Sequence, residues 1–521
     1  MVWSVETSQG FEQDKIAAHV VRYTRGKGLD LGCGQRKVWP HCIGMDDGKY
    51  GKGEADVIGD ISDLSMFADK SMDFVFSSHA LEDFEDDCVP ILLKEWARVI
   101  KTDGYLVLYI PSANLYPKVG EPGANPLHKW NIFPGDICKH LLGATTSGWS
   151  LLENEERNQL NEYSLFEVYQ KRDDGKFVAQ VWERNPSGKK RALLIRYGAI
   201  GDQIMASSVL PLLKRKGYHI TYNTTPSGQE IVKHDPHIDD FLIQDKDQVP
   251  NLQLGAYWGQ LQERYDHIVN LCESVEGMLL TLPGRLTHAY PDESRRRLYG
   301  KRNYLEITHD IADVPYEFRP KFYPTDSERA LAKFSRNQMN GPVICWAING
   351  SSPHKVYPWT QVVTGWLMEK TPAHVVLLSD EGVGKQLREG ILECLKKDGI
   401  DTKRVHSPSW SIRDVLAFCQ IADCVVGPET GPLNAVAFER NAKVIYLSHS
   451  SHENLTRDWV NTRVLIPEQA TAPCFPCHRL HFTWEHCHQD EKTSAALCAS
   501  AVSPERVFTA IAAALGARKA A

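Results

Sequence analysis

Short apolar runs that end near glycine or a carboxylate and then give way to a helical pattern recur along this chain. That rhythm limits its fold more than any other feature. Leu29-Asp30-Leu31, Cys42 to Met45, Asp73 to Phe76 and Tyr105 to Ile110 read as strands. Between the last two, Val89, Leu92, Trp96 and Val99 fall at helical spacing within Val89 to Lys101. The acidic run Glu82 to Asp87 precedes that helix, where carboxylates favour the positive end of its dipole. The pattern restarts with a strand at Ala192 to Arg196 and a helix at Ile200 to Lys216, then strands at His219 to Tyr222 and His267 to Leu271. A third start brings strands at Pro342 to Ala347 and His374 to Leu378 and a helix at Ile412 to Ile421. Strands at Cys424 to Val426 and Lys443 to Leu447 follow. Such alternation predicts mostly parallel sheets covered on both faces, an α/β class. The 521 residues agree with about three domains. The expected units are residues 1–174, 191–330 and 340–521. A polar linker at 175–190 contains the turn chemistry of Asn185-Pro186-Ser187-Gly188.

Composition removes several functions. Hydrophobic residues are 42% and charged residues 24%, so the chain has enough apolar content for real cores. Its 59 basic and 66 acidic residues leave a net charge of −7, which argues against nucleic acid as a partner. The start, MVWSVETSQGFEQDKIAAH, lacks the basic and apolar segments of a signal peptide. No run approaches the ~18 apolar residues of a spanning helix. Thirteen cysteines, an odd number without a secretory signal, point to reduced thiols and a cytoplasmic location.

In the first unit, Leu29-Asp30-Leu31-Gly32-Cys33-Gly34 ends a strand with a carboxylate and two glycines, where a backbone approaches a ligand closely. Asp46 closes the next strand, placed to accept ribose hydroxyls, and Asp60 follows at the end of a third. Together with SMDFVFSSHALE, EWARVIKTDGYLVLYIP and SLFEVYQK, these residues resemble class I S-adenosylmethionine-dependent methyltransferases over about residues 26–174. The resemblance implies that Asp30, Gly32 and Gly34 surround the methionine portion and Asp46 holds the ribose. Asp60 and Ile61 would flank the adenine, with Ser77, Ser78 and His79 facing the methyl group. The first helix is expected to be short or absent, because only seven residues separate Gly34 from Cys42. Asp83 stands where the family commonly has histidine. His79 reads either as a general base or as a buried structural histidine.

In the second and third units, Arg196-Tyr197-Gly198-Ala199-Ile200-Gly201-Asp202 makes a glycine turn from strand to helix. Asp202 either caps that helix or presents a carboxylate at a cleft. Val426-Gly427-Pro428-Glu429-Thr430-Gly431-Pro432 leads into another helix start, which suits a diphosphate. Asn349 to Lys355 is a polar loop delivering a cation. These segments, with HKVYPWTQ and GPETGPLNAVAFERNAKVIYLSHS, look like the ADP-heptose:lipopolysaccharide heptosyltransferase family over about residues 190–515. The resemblance implies a GT-B glycosyltransferase of two Rossmann-like domains. In it Asp202 is the general base and Lys355 stabilises the leaving diphosphate. Thr430 and Gly431 donate to the phosphates, Glu381 holds the nucleoside, and Glu429 belongs to the nucleotide-sugar site in place of the family's usual aspartate. The histidine usual after that signature is here Asn434. No metal is required for this chemistry.

Cys474, Cys477, Cys487 and Cys498 form a C-x2-C-x9-C-x10-C pattern interleaved with His478, His481, His486 and His488. The pattern reads either as a structural metal site, zinc or iron, or as a loop of reduced thiols. A similar iron-holding finger occurs in the autotransporter heptosyltransferases. The whole reads as a bifunctional enzyme taking small-molecule donors, S-adenosylmethionine and an ADP-heptose-like nucleotide sugar, and acting on a glycan or protein acceptor. The alternatives are a glycosyltransferase carrying a non-catalytic cofactor-binding module, or a non-enzymatic assembly protein that reuses both folds.

Overall fold

The computed structural model describes residues 12–49, 51–159, 161–180 and 188–517. Most of the Asn185-Pro186-Ser187-Gly188 turn expected in the linker lies outside the described residues. The chain divides into two compact units rather than three. One comprises residues 1–189 with 242–266, the other 190–241 with 267–521. Both Rossmann-like sheets expected as separate units thus fall in the second. The excursion 242–266, assigned by sequence to the 191–330 unit, packs with the first. There Gln248 donates to the carbonyls of Val21 and Thr24 (2.9 and 3.1 Å), and Gln260 accepts from the Ala18 amide and donates to the Asp14 carbonyl.

The first unit holds one sheet of eight strands. They are β1 (Gly28–Leu31), β2 (Ile43–Asp46), β3 (Val57–Ile58), β4 (Met72–Ser78), β5 (Ile100–Pro111), β6 (Gly148–Arg157), β7 (Ser164–Arg172) and β8 (Phe177–Ala179). Their order is β3-β2-β1-β4-β5-β7-β6-β8, with β7 antiparallel to β5 and the strands from β3 to β5 parallel. Strand order reverses between β1 and β4, the switch point where such sheets open a crevice for ligand. β8 lies inside the segment expected as linker. No helix joins β1 to β2, as the short spacing predicted. The helix expected over 89–101 stops at Val99, because Ile100 already pairs with Met72 as the first residue of β5. Trp96 is fully buried, and its indole N–H reaches the Ile61 carbonyl at 2.8 Å, tying the helix to the loop after β3.

The second unit contains two sheets. The first has order β11-β10-β9-β12, from β9 (Arg191–Ile195), β10 (His219–Thr224), β11 (Asp240–Ile243) and β12 (His267–Asn270). The second, all parallel, has order β15-β14-β13-β16-β17-β18. It is built from β13 (Val343–Ala347), β14 (His374–Leu378), β15 (Val405–His406), β16 (Cys424–Gly427), β17 (Ala442–Tyr446) and β18 (Thr462–Leu465). β9, β13, β14, β16 and β17 are buried throughout, the mark of strands covered on both faces. The single helix expected over 200–216 is three pieces, Ile200–Ala206, a 3-10 turn Ser207–Val209, and Leu210–Arg215. Pro211 has no amide hydrogen to continue the ladder, and the Ser207 hydroxyl bonds the Ile204 carbonyl instead. Among the described residues no helix is long and apolar enough to cross a membrane.

Candidate functional site

The strand ends of the first unit supply the first site. Gly32 sits in the left-handed region (φ +73°), and a Cβ there would come within 2.5 Å of the Ala80 Cβ. Only glycine keeps this turn close to the end of β4. The Asp46 carboxylate accepts from the Gly34 amide at 2.9 Å and the Gly48 amide at 3.0 Å. A carboxylate has about four acceptor positions, so lone pairs remain for two ribose hydroxyls. Asp60 accepts from the Ser62 amide in a tight turn, and Ile61 is buried beside Gly32. The Ser78 hydroxyl is buried without a hydrogen-bond partner. A glycine turn open at Gly34, a carboxylate with acceptor positions to spare and an orphan hydroxyl at the switch point fit S-adenosylmethionine. Asp30 lies within β1, one residue before its end. It is buried and accepts from the Val38 amide at 2.6 Å, pinning the short connection that stands in for the missing helix. Burial pushes it up to about 7. Ser77 is buried too, donating to the Leu31 carbonyl.

Buried acids and histidines give this unit a pH signature. Burial raises Asp30 and Glu167 to about 7 and Glu82 to about 8, and lowers His19 and His79 to about 3. Between pH 3 and 6.5 the unfolded histidines bind more protons than the folded ones, so stability rises with pH. From about 4 to 8 the folded carboxyls hold protons that the unfolded chain has lost, so stability falls. Above pH 6.5 only the second effect remains. Thermal denaturation of the cofactor-free protein is expected to show the first unit less stable at pH 8 than at pH 6.5.

The second site forms between the glycine turns of the two sheets in the second unit. Asp202 Oδ2 accepts from the Ala199 amide at 2.8 Å and meets Arg196 Nη2 at 3.1 Å. The capping reading of Asp202 thus has a hydrogen bond behind it, and the same carboxylate also faces Arg196. Gly198 (φ +109°) leaves room for it, as a Cβ there would lie 2.5 Å from Asp202 Oδ2. Arg196, which the sequence reading passed over, is 1% exposed. It donates to the Leu271 and Cys272 carbonyls at 2.8 and 2.7 Å and pairs with Glu276 at 3.2 Å. An arginine closing a buried strand just before a glycine turn was the available signal.

Across the cleft, Gly201 abuts the Asn434 side chain, and a Cβ on Gly431 would press 2.8 Å from Ile200. The helices Ile200–Ala206 and Gly431–Val436 thus meet at their starts, drawing both signature turns together. Lys355 is buried and donates to the Glu429 carbonyl at 2.9 Å. Burial lowers it below the usual ammonium range, opposed by the charges of Glu429 and Asp202. Thr430 is nearly buried, its hydroxyl on the Pro428 carbonyl. The Glu429 carboxylate turns away from the helix start and accepts from the Ser448, His449 and Ser450 amides and the Ser448 hydroxyl. The extra methylene of glutamate over aspartate is what reaches that loop. Glu381 is exposed, 3.9 Å from Arg388.

All four C-terminal cysteines line one cavity of about 40 Å³, with His481, His486, His488 and Ser448. Yet among the described residues no three His, Cys, Asp or Glu side chains are close enough together to hold a metal ion. The expected four-sulfur centre is gathered but not closed. Each thiol is neutral in this arrangement, burial raising Cys477 and Cys487 to about 12. Cys498 is turned onto the Ser448 carbonyl at 3.3 Å.

Residues 29–108 match the family model for a methyltransferase domain. No curated protein matches the chain. Among solved structures it resembles ADP-heptose LPS heptosyltransferase II of E. coli at 14% identity and TM-score 0.43, over 63% of this chain and 99% of that one. A glycosyl transferase family 9 protein from Veillonella parvula is 16% identical with TM-score 0.47, over 63% and 98%. A SAM-dependent methyltransferase from Archaeoglobus fulgidus is 19% identical with TM-score 0.23, over 30% and 94%. Residues 29–108 of the first unit thus match a methyltransferase-domain model, and the second unit holds two parallel-stranded sheets, β11-β10-β9-β12 and β15-β14-β13-β16-β17-β18.

Proposed function

We propose that the chain is a bifunctional transferase. One unit methylates with S-adenosylmethionine, and the other transfers a sugar, with inversion, from an ADP-heptose-like nucleotide sugar to a glycan or protein acceptor. The observation that carries the second half is the close approach of the two glycine turns, Gly201 against Asn434 and Gly431 against Ile200, with Asp202 on one turn and Lys355 bonded to the Glu429 carbonyl of the other. Asp202 takes the acceptor proton, and Arg196 Nη2, 3.1 Å from its carboxylate, fixes that carboxylate in place. Lys355 neutralises the departing diphosphate, and the Thr430 and Gly431 amides donate to it. Glu381, at the mouth, holds the nucleoside. Glu429 serves that site indirectly, through its carbonyl on Lys355.

In the first unit the cofactor supplies an electrophilic methyl group. Asp46 binds the ribose, Asp60 and Ile61 border the adenine, and the Gly32 and Gly34 main chain receives the methionine end. The strand order and the family match support this half. Joining both activities in one chain raises the effective concentration of a shared acceptor for the second step.

Native mass spectrometry of the purified chain, titrated with S-adenosylmethionine and a nucleotide-sugar panel including ADP-heptose, tests the reading. One cofactor and one nucleotide-sugar adduct on the same chain are expected. Absence of both at concentrations above ~1 mM would overturn it in favour of an assembly role. A residual mass of one metal ion on the unliganded chain would show the four thiols closing on it.

A further inference from the structure

The end of β4 and the turn after it carry buried polar atoms without a hydrogen-bond partner, one of them on Ser78 of the cofactor site. Ser78 Oγ and Glu82 Oε2 are both buried and lack a hydrogen-bond partner, and Asp83 Oδ1 is equally bare. An unpaired buried polar atom costs about 1–3 kcal/mol, and a ligand that hydrogen-bonds to it removes that cost. Glu82 Oε1 lies 3.6 Å from His79 Nδ1 and 3.6 Å from His128 Nε2. The two imidazoles occupy one oxygen and leave the other. Rings surround the cluster: His79 packs on Tyr109 and Tyr163, and Tyr116 on Tyr163 at 4.6 Å and on His128 at 5.3 Å.

Charged groups of both signs surround this cluster, with the acids nearest to His79 and Glu82. Glu12, on the helix Glu12–Val20, sets Oε2 3.6 Å from His79 Nε2, and Asp83 adjoins Glu82. Lys15, from the same helix, is bonded to Glu12 at 2.8 Å, and Lys49 and Lys129 act on Asp83. A phosphate or carboxylate acceptor would meet Glu12, Glu82 and Asp83. A neutral hydroxyl with a carbon-lined ring face suits both the aromatic wall and the orphan atoms.

We propose that Glu82 is the proton acceptor for methyl transfer to an uncharged hydroxyl acceptor. This rests on the cofactor reading above. Glu82 Oε2 takes the hydroxyl proton as the acceptor oxygen bonds the methyl carbon and the carbon–sulfur bond breaks, leaving S-adenosylhomocysteine, a methyl ether and a protonated Glu82. Burial, with Asp83 and Glu12 adding to it, holds Glu82 at about 8, so the carboxyl is protonated at pH 7. An adjacent sulfonium favours its ionised form, arming the base only when methyl donor is present.

Isothermal titration calorimetry at pH 7, in buffers of different ionisation enthalpy, counts protons released on binding. S-adenosylmethionine is expected to release about one proton and neutral S-adenosylhomocysteine essentially none, with Glu82→Gln abolishing the difference while still binding both. Equal counts for the two ligands in the wild type, which needs no variant, would overturn the assignment. So would a difference that survives in Glu82→Gln. If neither ligand binds the wild type, the cofactor reading fails and this one with it. For the acceptor, S-adenosylhomocysteine formation is expected with neutral methyl glycosides. Formation with sugar phosphates alone, or with no glycoside of a broad panel, would overturn the uncharged class.

Discussion

Asp202→Asn is expected to lower glycosyl transfer by about 10²–10⁴-fold, the usual contribution of a positioned general base. Asparagine keeps the shape and can still accept from the Ala199 amide, so the helix start stays capped. What it loses is the negative charge beside Arg196 and the site that receives the acceptor proton. The loss should therefore appear in kcat, with donor affinity within about threefold of wild type, because the proposed reading gives the donor's phosphates to Lys355 and the Gly431 turn. Nucleoside diphosphate release under initial-rate conditions measures the first quantity, and calorimetric titration of the donor the second. Activity within tenfold of wild type would reduce Asp202 to a helix cap and place the base elsewhere.

Arg196→Met is expected to destabilise the second unit by about 3–5 kcal/mol, the cost of removing one partner from a buried charge pair. The guanidinium satisfies two carbonyls and two carboxylates at once, and methionine fills its volume but none of those bonds. Asp202 and Glu276 would then face each other without a cation, although burial and the Asp202 charge already raise Glu276. Arg196→Lys should recover only part of the loss, since a single ammonium cannot serve the carbonyls and both acids with the same fork geometry. Denaturant titration gives the stability change. A cost below about 1 kcal/mol would mean that the four partners find water or one another instead.

The two predictions differ in how visible their residues were. Asp202 stands out in the sequence because it is a carboxylate immediately after a Gly-x-x-Gly turn that follows a strand. Arg196 belongs to the same motif, yet its partners are 75 to 80 residues away on another strand end, and no local pattern announces them. Glu82 is a similar case. It lies in an acidic run that suits a helix dipole, and its burial between His79 and His128 depends on a loop 46 residues later. Glu429 shows the converse. Its motif position put it in the nucleotide-sugar site, and its carboxylate accepts from the Ser448, His449 and Ser450 amides, reached because β16 and β17 are neighbours.

Periodicity and turn chemistry in the sequence were enough to determine the α/β class, nearly every central strand, and the two glycine turns where ligands approach. Those features depend on a few consecutive residues, through strand burial and backbone freedom at glycine. Tertiary structure alone decided the grouping into two units, because the excursion 242–266 is held by contacts such as Gln248 to Val21 that no neighbouring residue implies. It also decided which charged groups are buried together. The energy of a buried charge depends on partners brought from distant strands, and that is the information a linear chain does not display.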